Sequence, residues 1–128
     1  MQGKILIVDP ASTSRIVMKV KLSAAFYDVV QASTIEEAID VAKQSEPSLV
    51  ICSMQIGDGD AADLVENLAL IPNGRNIPVM VCDGPVSVQM RLKALGAGVQ
   101  DVMEKPINEA LLLARVRSVI RAQHNTAE

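Results

Sequence analysis

Residues 48–64, SLVICSMQIGDGDAADL, decide how this chain folds. The opening six residues are apolar almost throughout, and six is too few for a helix. An alternating strand would be half exposed; an unbroken apolar one needs cover on both faces, as in a parallel sheet with helices above and below it. The run stops at Ser53. A loop rich in Gly and Asp then leads to Asp60, which is placed to cap a helix starting near Ala61. The turn out of a buried parallel strand is where such sheets carry reactive groups. Here that turn holds a serine followed by a methionine.

The rest of the chain repeats the pattern. Residues 4–8 (KILIV) read as a strand, followed by Asp9-Pro10-Ala11-Ser12, with Ser12 as cap of a helix that carries Ile16, Val17, Val20 and Ala24 on one side. Residues 28–32 form a weaker strand. Thr34 and Glu37 have the spacing of a capping box, and the helix they open shows Ile35, Ala38, Ile39 and Ala42 before Pro47 ends it. A helix from about Ala61 to Leu70 follows the third strand. Residues 77–82 (IPVMVC) are a fourth strand, Val86 to Leu95 a helix stopped by Gly96-Ala97-Gly98, and residues 99–103 a fifth strand. Asn108 caps a last helix with Leu111, Leu112, Ala114, Val116, Val119 and Ile120. Five strand–helix units with short links give an α/β, doubly wound parallel sheet. We expect one domain over 1–123, with 124–128 (HNTAE) a polar, frayed tail or the start of a linker. Functional residues of such a sheet lie beyond the carboxyl ends of its strands, at Asp9, Pro10, Ser53, Asp83 and Lys105.

Composition narrows the function. A 128-residue chain is long enough for one core, and 49% hydrophobic with 21% charged residues describes an ordinary soluble domain, expected in the cytoplasm. A net charge of −3 argues against a nucleic-acid surface. No apolar run approaches the roughly 20 residues that span a bilayer. Cys52 and Cys82 lack the spacing of a zinc site, and His124 stands alone. Strand alternation turns both thiols away from the crevice, although adjacent strands leave redox pairing open. No glycine-rich phosphate loop follows the first strand, and one Phe with one Tyr leaves little to stack on a flavin or base.

The landmarks ILIVD, EPSLVICSM, IPVMVCD and above all GAGVQDVMEKPIN make the chain resemble the receiver domains of bacterial two-component response regulators, over Lys4 to about Arg121. ALLLARVRSVIRAQ, after EKPIN, is similar to the end of the first receiver in PleD-type diguanylate cyclases. The resemblance implies a CheY-like, flavodoxin-like (βα)5 fold with strand order 2-1-3-4-5. It also implies a non-enzymatic module that takes a phosphoryl group on an aspartate at the end of the third strand. In the family that carboxylate and an acidic pair after the first strand hold Mg²⁺, a Thr or Ser and a Lys hold the phosphoryl group, and an aromatic near the fifth strand reports the change.

Laid on these residues, only Asp9 and Lys105 keep their family identities. Pro10 replaces the second acid, Ser53 the acceptor, Asp83 the Thr or Ser, and Val102 the aromatic switch. A serine hydroxyl without an adjacent base is a poor nucleophile and offers no charged oxygen to a metal, so a hydrogen-bonded strand end is the expectation for Ser53. No cofactor is expected; if Mg²⁺ binds at all, Asp9 would hold it. Asp58 and Asp60 read as loop and cap residues rather than a calcium loop. A lysine deprived of its phosphoryl partner is left as an unpaired ammonium, and two readings of Asp83 stand side by side: a counter-ion for Lys105 shared with Asp9, or a residue that simply faces water. The reading is a receiver that has lost phosphorylation and acts as a dimerisation or docking module through the Val86–Ala122 face, inside a larger signalling protein. The row Arg115, Arg117, Arg121 is solvated or part of that docking face. An unconventional acceptor and a small-ligand module on the same fold are the alternatives.

Overall fold

The computed structural model describes residues 3–127, with side chains described as far as Gln123. The order is β1 (Lys4–Val8), α1 (Ser12–Ala24), β2 (Asp28–Ala32), α2 (Ile35–Ser45), β3 (Leu49–Cys52), β4 (Gln55–Ile56), β5 (Gly59–Asp60), α3 (Ala61–Leu68), a 3-10 turn at Gly74–Asn76, β6 (Val79–Asp83), α4 (Val88–Ala97), β7 (Asp101–Glu104) and α5 (Glu109–Ala127). Five strands pair in parallel in the order β2-β1-β3-β6-β7. Counting only the strands of this sheet, that is the expected 2-1-3-4-5. Residues 55–60, read as plain loop, close instead into an antiparallel ladder pairing Gln55 with Asp60 and Ile56 with Gly59.

The unbroken apolar character of β3 has the expected cause. Leu49, Val50, Ile51 and Cys52 are all buried, alternately on two faces. Val50 and Cys52 join Leu6, Val8, Val79, Val81 and Val102 beneath Ala38 and Ala42 of α2, Leu64 and Leu68 of α3 and Ala94 of α4. Leu49 and Ile51 join Ile5, Ile7, Met80, Cys82 and Met103 beneath Met18 and Leu22 of α1 and Leu112, Val116 and Ile120 of α5. Cys52 and Cys82 therefore lie on opposite sides of the sheet, which removes the redox pairing that strand adjacency left open.

Helix α1 departs from the sequence reading. Its core residues are Met18 and Leu22, while Ile16, Val17 and Val20 are 56%, 49% and 62% exposed. Both sides of α1 are apolar, so periodicity alone could not choose between them. In the rotation adopted, the Arg15 guanidinium donates to the Asp9 and Pro10 carbonyls at 2.7 and 3.4 Å. That anchors the Arg15–Met18–Leu22 row against the sheet. Nor does Ser12 cap α1. It lies inside the helix, and the Asp9 carboxylate takes the Ala11 amide instead at 2.9 Å. The other caps form as expected at Thr34, Asp60 and Asn108, though Glu37 reaches the Ser33 amide rather than that of Thr34. Helix α4 starts two residues late, capped by Ser87, and α3 ends two residues early. Helix α5 runs on through the segment expected to fray, as far as Ala127. His124 and the neighbouring tail side chains lie outside the described residues. Among the described residues no helix is long and apolar enough to cross a membrane.

Candidate functional site

The register of the strands sorts the crevice residues into two rows. Val8 pairs with Cys52 and Cys52 with Val81, so Asp9 and Ser53 follow in line with Cys82 and Met103. Asp83 pairs with Glu104 one step further out and so points to the other side. Lys105 comes after Glu104 and returns to the first side. Three positions, Asp9, Ser53 and Lys105, therefore belong to the α1/α5 side, and Asp83 to the α3/α4 side.

Each side chain is accounted for by named bonds. Asp9 Oδ1 accepts from the Ala11 amide. Pro10 is exposed and offers only its carbonyl. Ser53 is 7% exposed; its amide donates to the Val8 carbonyl at 3.1 Å and its hydroxyl to the Gln55 carbonyl at 2.8 Å. The expectation of a hydrogen-bonded serine at a strand end is met. Lys105 Nζ donates to Ser14 Oγ at 3.2 Å, and the following peptide bond to Pro106 is cis. Val102, at the expected switch position, is 6% exposed and packs in the core.

Asp83 corrects the sequence reading. No ion pair joins it to Lys105 among the described residues, since the two side chains leave their strands on opposite sides. Instead Asp83 Oδ2 accepts from the Met54 amide at 2.6 Å and Oδ1 from the Gly84 amide at 2.7 Å. Only the main chains meet, with the Lys105 amide donating to the Asp83 carbonyl at 2.6 Å.

Four residues of this neighbourhood were missed by the sequence: Ser14, Arg15, Arg91 and Glu104. Glu104 Oε1 accepts from Arg91 Nη2 at 3.0 Å and from the Val86 amide at 3.3 Å, and Arg91 Nη1 donates to the Val102 carbonyl at 3.0 Å. Their signal was faint. A charged residue at the end of a strand or on a helix looks solvated until the neighbouring element is placed beside it.

Burial drives the cysteine chemistry. It pushes the Cys82 thiol up to about 12, with Lys105 opposing and Asp101 and Asp83 adding to the rise. Burial pushes Cys52 up further, helped by the nearby charges of Cys82, Asp83 and Asp9. Neither thiol is a nucleophile or a metal ligand at neutral pH.

The donor set for a magnesium ion is thin. Such a site usually takes one or two carboxylates together with waters and substrate oxygens. Asp9 has one oxygen committed to Ala11, Pro10 and Ser53 bring no carboxylate, and Asp83 faces the other side with both oxygens taken by amides. No group of three His, Cys, Asp or Glu side chains able to hold a metal occurs among the described residues.

Comparison with known proteins agrees with this architecture. The chain is 30% identical over 118 residues to the probable transcriptional regulator ycf27 of Porphyridium aerugineum, covering 92% of this chain and 48% of that one. It is 29% identical over 121 residues to the response regulator PleD of Caulobacter vibrioides, covering 94% of this chain and 27% of PleD. It thus spans about half the length of the first and about a quarter of the second. The solved receiver domain of the sensor histidine kinase PA1611 from Pseudomonas aeruginosa, which holds a magnesium ion in its active-site cleft, superimposes with a TM-score of 0.83 at 20% identity, covering 92% of this chain and 97% of that one. A family model for the response regulator receiver domain matches residues 5–117, and the chain belongs to that family.

Proposed function

We propose that this receiver domain does not operate by phosphorylation and serves as a docking module for a protein partner, foremost an adjoining domain of a longer signalling chain. The observation that carries this reading is the state of Ser53. At the end of β3 it is buried and its hydroxyl is donated to the Gln55 carbonyl, so the hydroxyl proton is held by a main-chain oxygen rather than by a base. The lysine that would steady an incoming phosphoryl group points at Ser14.

Docking is supported by the face made of α4, β7 and α5. Val88, Leu92, Leu95 and Leu111 are 69%, 63%, 41% and 47% exposed. Beside them runs a groove of about 270 Å³ lined by Asp101, Glu104, Pro106, Leu111 and Arg115 among others. Exposed apolar residues rimmed by the Arg91–Glu104 and Arg115–Asp101 ion pairs are the usual make-up of a protein-binding surface. The likeness to PleD supports a place in cyclic di-GMP signalling as part of the same proposal.

The test is the amide NMR spectrum with beryllofluoride and Mg²⁺. The unaltered chain is expected to show no response. Widespread, saturable shifts centred on Ser53 and Lys105 would overturn the reading in favour of an unconventional acceptor.

A further inference from the structure

Asp83 has both carboxylate oxygens engaged: Oδ2 takes the Met54 amide from a distant segment, and Oδ1 takes the amide of its own next residue, Gly84. Met54 belongs to the turn leaving β3, and Gly84 to the turn leaving β6, 30 positions further along the chain. At 2.6 and 2.7 Å both bonds lie at the short, charge-assisted end of the range. Main-chain N–H groups converging in this way make an anion cradle, of the kind that holds phosphate or carboxylate elsewhere. A second carboxylate acts just beyond. Glu104 takes the Val86 amide and the Arg91 guanidinium, which also reaches the Val102 carbonyl. The segment Gly84–Arg91 is therefore pinned to the ends of β3, β6 and β7.

We propose that the Met54 and Gly84 amides form an oxyanion site whose resident ligand is the chain's own Asp83, and that this internal ligand holds Gly84–Arg91, with the start of α4, in one conformation. The inference deepens the reading above and rests on it in one respect: a cradle already filled is closed to a phosphoryl oxygen. Tethering favours the resident. A group fixed by its own strand competes at an effective concentration of about millimolar or more, so free anions at lower levels do not displace it. Charge matters as well, because amide bonds to an ionised carboxylate are shorter and stronger than those to a neutral hydroxyl. The docking face is in this way set without any external signal, since α4 forms one wall of it.

The experiment compares amide hydrogen exchange and relaxation dispersion in the unaltered chain, Asp83→Ala and Asp83→Asn. Loss of the carboxylate is expected to speed exchange at both Met54 and Gly84 by about tenfold to a hundredfold, and to bring millisecond broadening along Gly84–Arg91. Sodium formate, the anion fragment missing from the Ala variant, is expected to restore both amides saturably where equal sodium chloride does not. Asp83→Asn keeps one acceptor oxygen, so one amide stays protected and the other is released. This variant carries the test if the Ala variant fails to fold. Unchanged protection of both amides in either variant, or formate acting no better than chloride, overturns the proposal. A failure here with a silent beryllofluoride spectrum in the unaltered chain would remove the internal ligand and leave the unphosphorylated reading standing.

Discussion

Replacing Ser53 by aspartate puts the electrostatics of the crevice to a quantitative test. The serine is 7% exposed and aligned with Asp9 across the β1–β3 ladder, so the new carboxylate would face that of Asp9. Neighbouring strands lie about 4.8 Å apart, so side chains facing each other there sit roughly 5.5 Å apart, and two like unit charges at that distance repel by about 3 kcal/mol at an effective dielectric constant near 20. Lys105 can leave Ser14 to offset part of this. A net destabilisation of about 1–3 kcal/mol is expected in metal-free buffer, or roughly 3–10 °C in melting temperature for a chain of this size. Ser53→Ala, which loses only the part-buried bond to the Gln55 carbonyl, sets the baseline at about 0.5–1.5 kcal/mol. Magnesium then separates the cases. Two facing carboxylates are enough to begin a site, and Mg²⁺ at ten times its dissociation constant would return about 1.4 kcal/mol to Ser53→Asp. The unaltered chain should gain nothing. Thermal unfolding with EDTA and with Mg²⁺ gives both numbers. Equal stabilisation of the unaltered chain would refute the argument about the donor set, and a metal-free Ser53→Asp as stable as the parent would refute the electrostatic one.

Three further outcomes are expected. In chemical denaturation, Met18→Ala and Leu22→Ala should each cost about 2–5 kcal/mol, whereas Ile16→Ser and Val20→Ser on the outer side of α1 should stay within about 0.5 kcal/mol. Thiol titration at pH 8 should find Cys52 and Cys82 unreactive until the chain unfolds, and mild oxidants should produce no disulfide between them, because burial raises both thiols and the sheet separates them. Asp60, which caps α3, is held below its ordinary 3.8 chiefly by its hydrogen bond from Lys93 at 2.7 Å. A depressed carboxylate stabilises the fold above its ordinary value and ceases to do so as pH falls through the lower folded value. The stability gap between the unaltered chain and Lys93→Met should therefore be full above pH 3.8 and close below it, as read by unfolding across an acid series.

Much of the molecule follows from local pattern. The apolar runs, the caps at Thr34, Asp60 and Asn108 and the short links were enough for five strand–helix units and a parallel sheet, because each signal acts over a few residues. The same reading located Asp9, Ser53, Asp83 and Lys105 at strand ends, since a crevice beyond the carboxyl edge is a property of the architecture. It failed where a decision depended on a neighbouring element. The rotation of α1 buries Met18 and Leu22 and brings Arg15 to two carbonyls in the turn after β1, and an apolar pattern on both sides of the helix could not foretell it. A pair between Asp83 and Lys105 stood as one reading because their strands are neighbours. The register puts Asp83 opposite Glu104, however, and a one-residue step reverses the direction of a side chain. The sequence by itself determined the fold class, the place of the crevice and the serine at the end of β3, because these depend on residue identity and short-range period. Only the tertiary structure decided what the crevice residues bond to, because register and helix rotation come from packing between segments far apart in the chain. That is how a candidate counter-ion for Lys105 became the ligand of the Met54 and Gly84 amides.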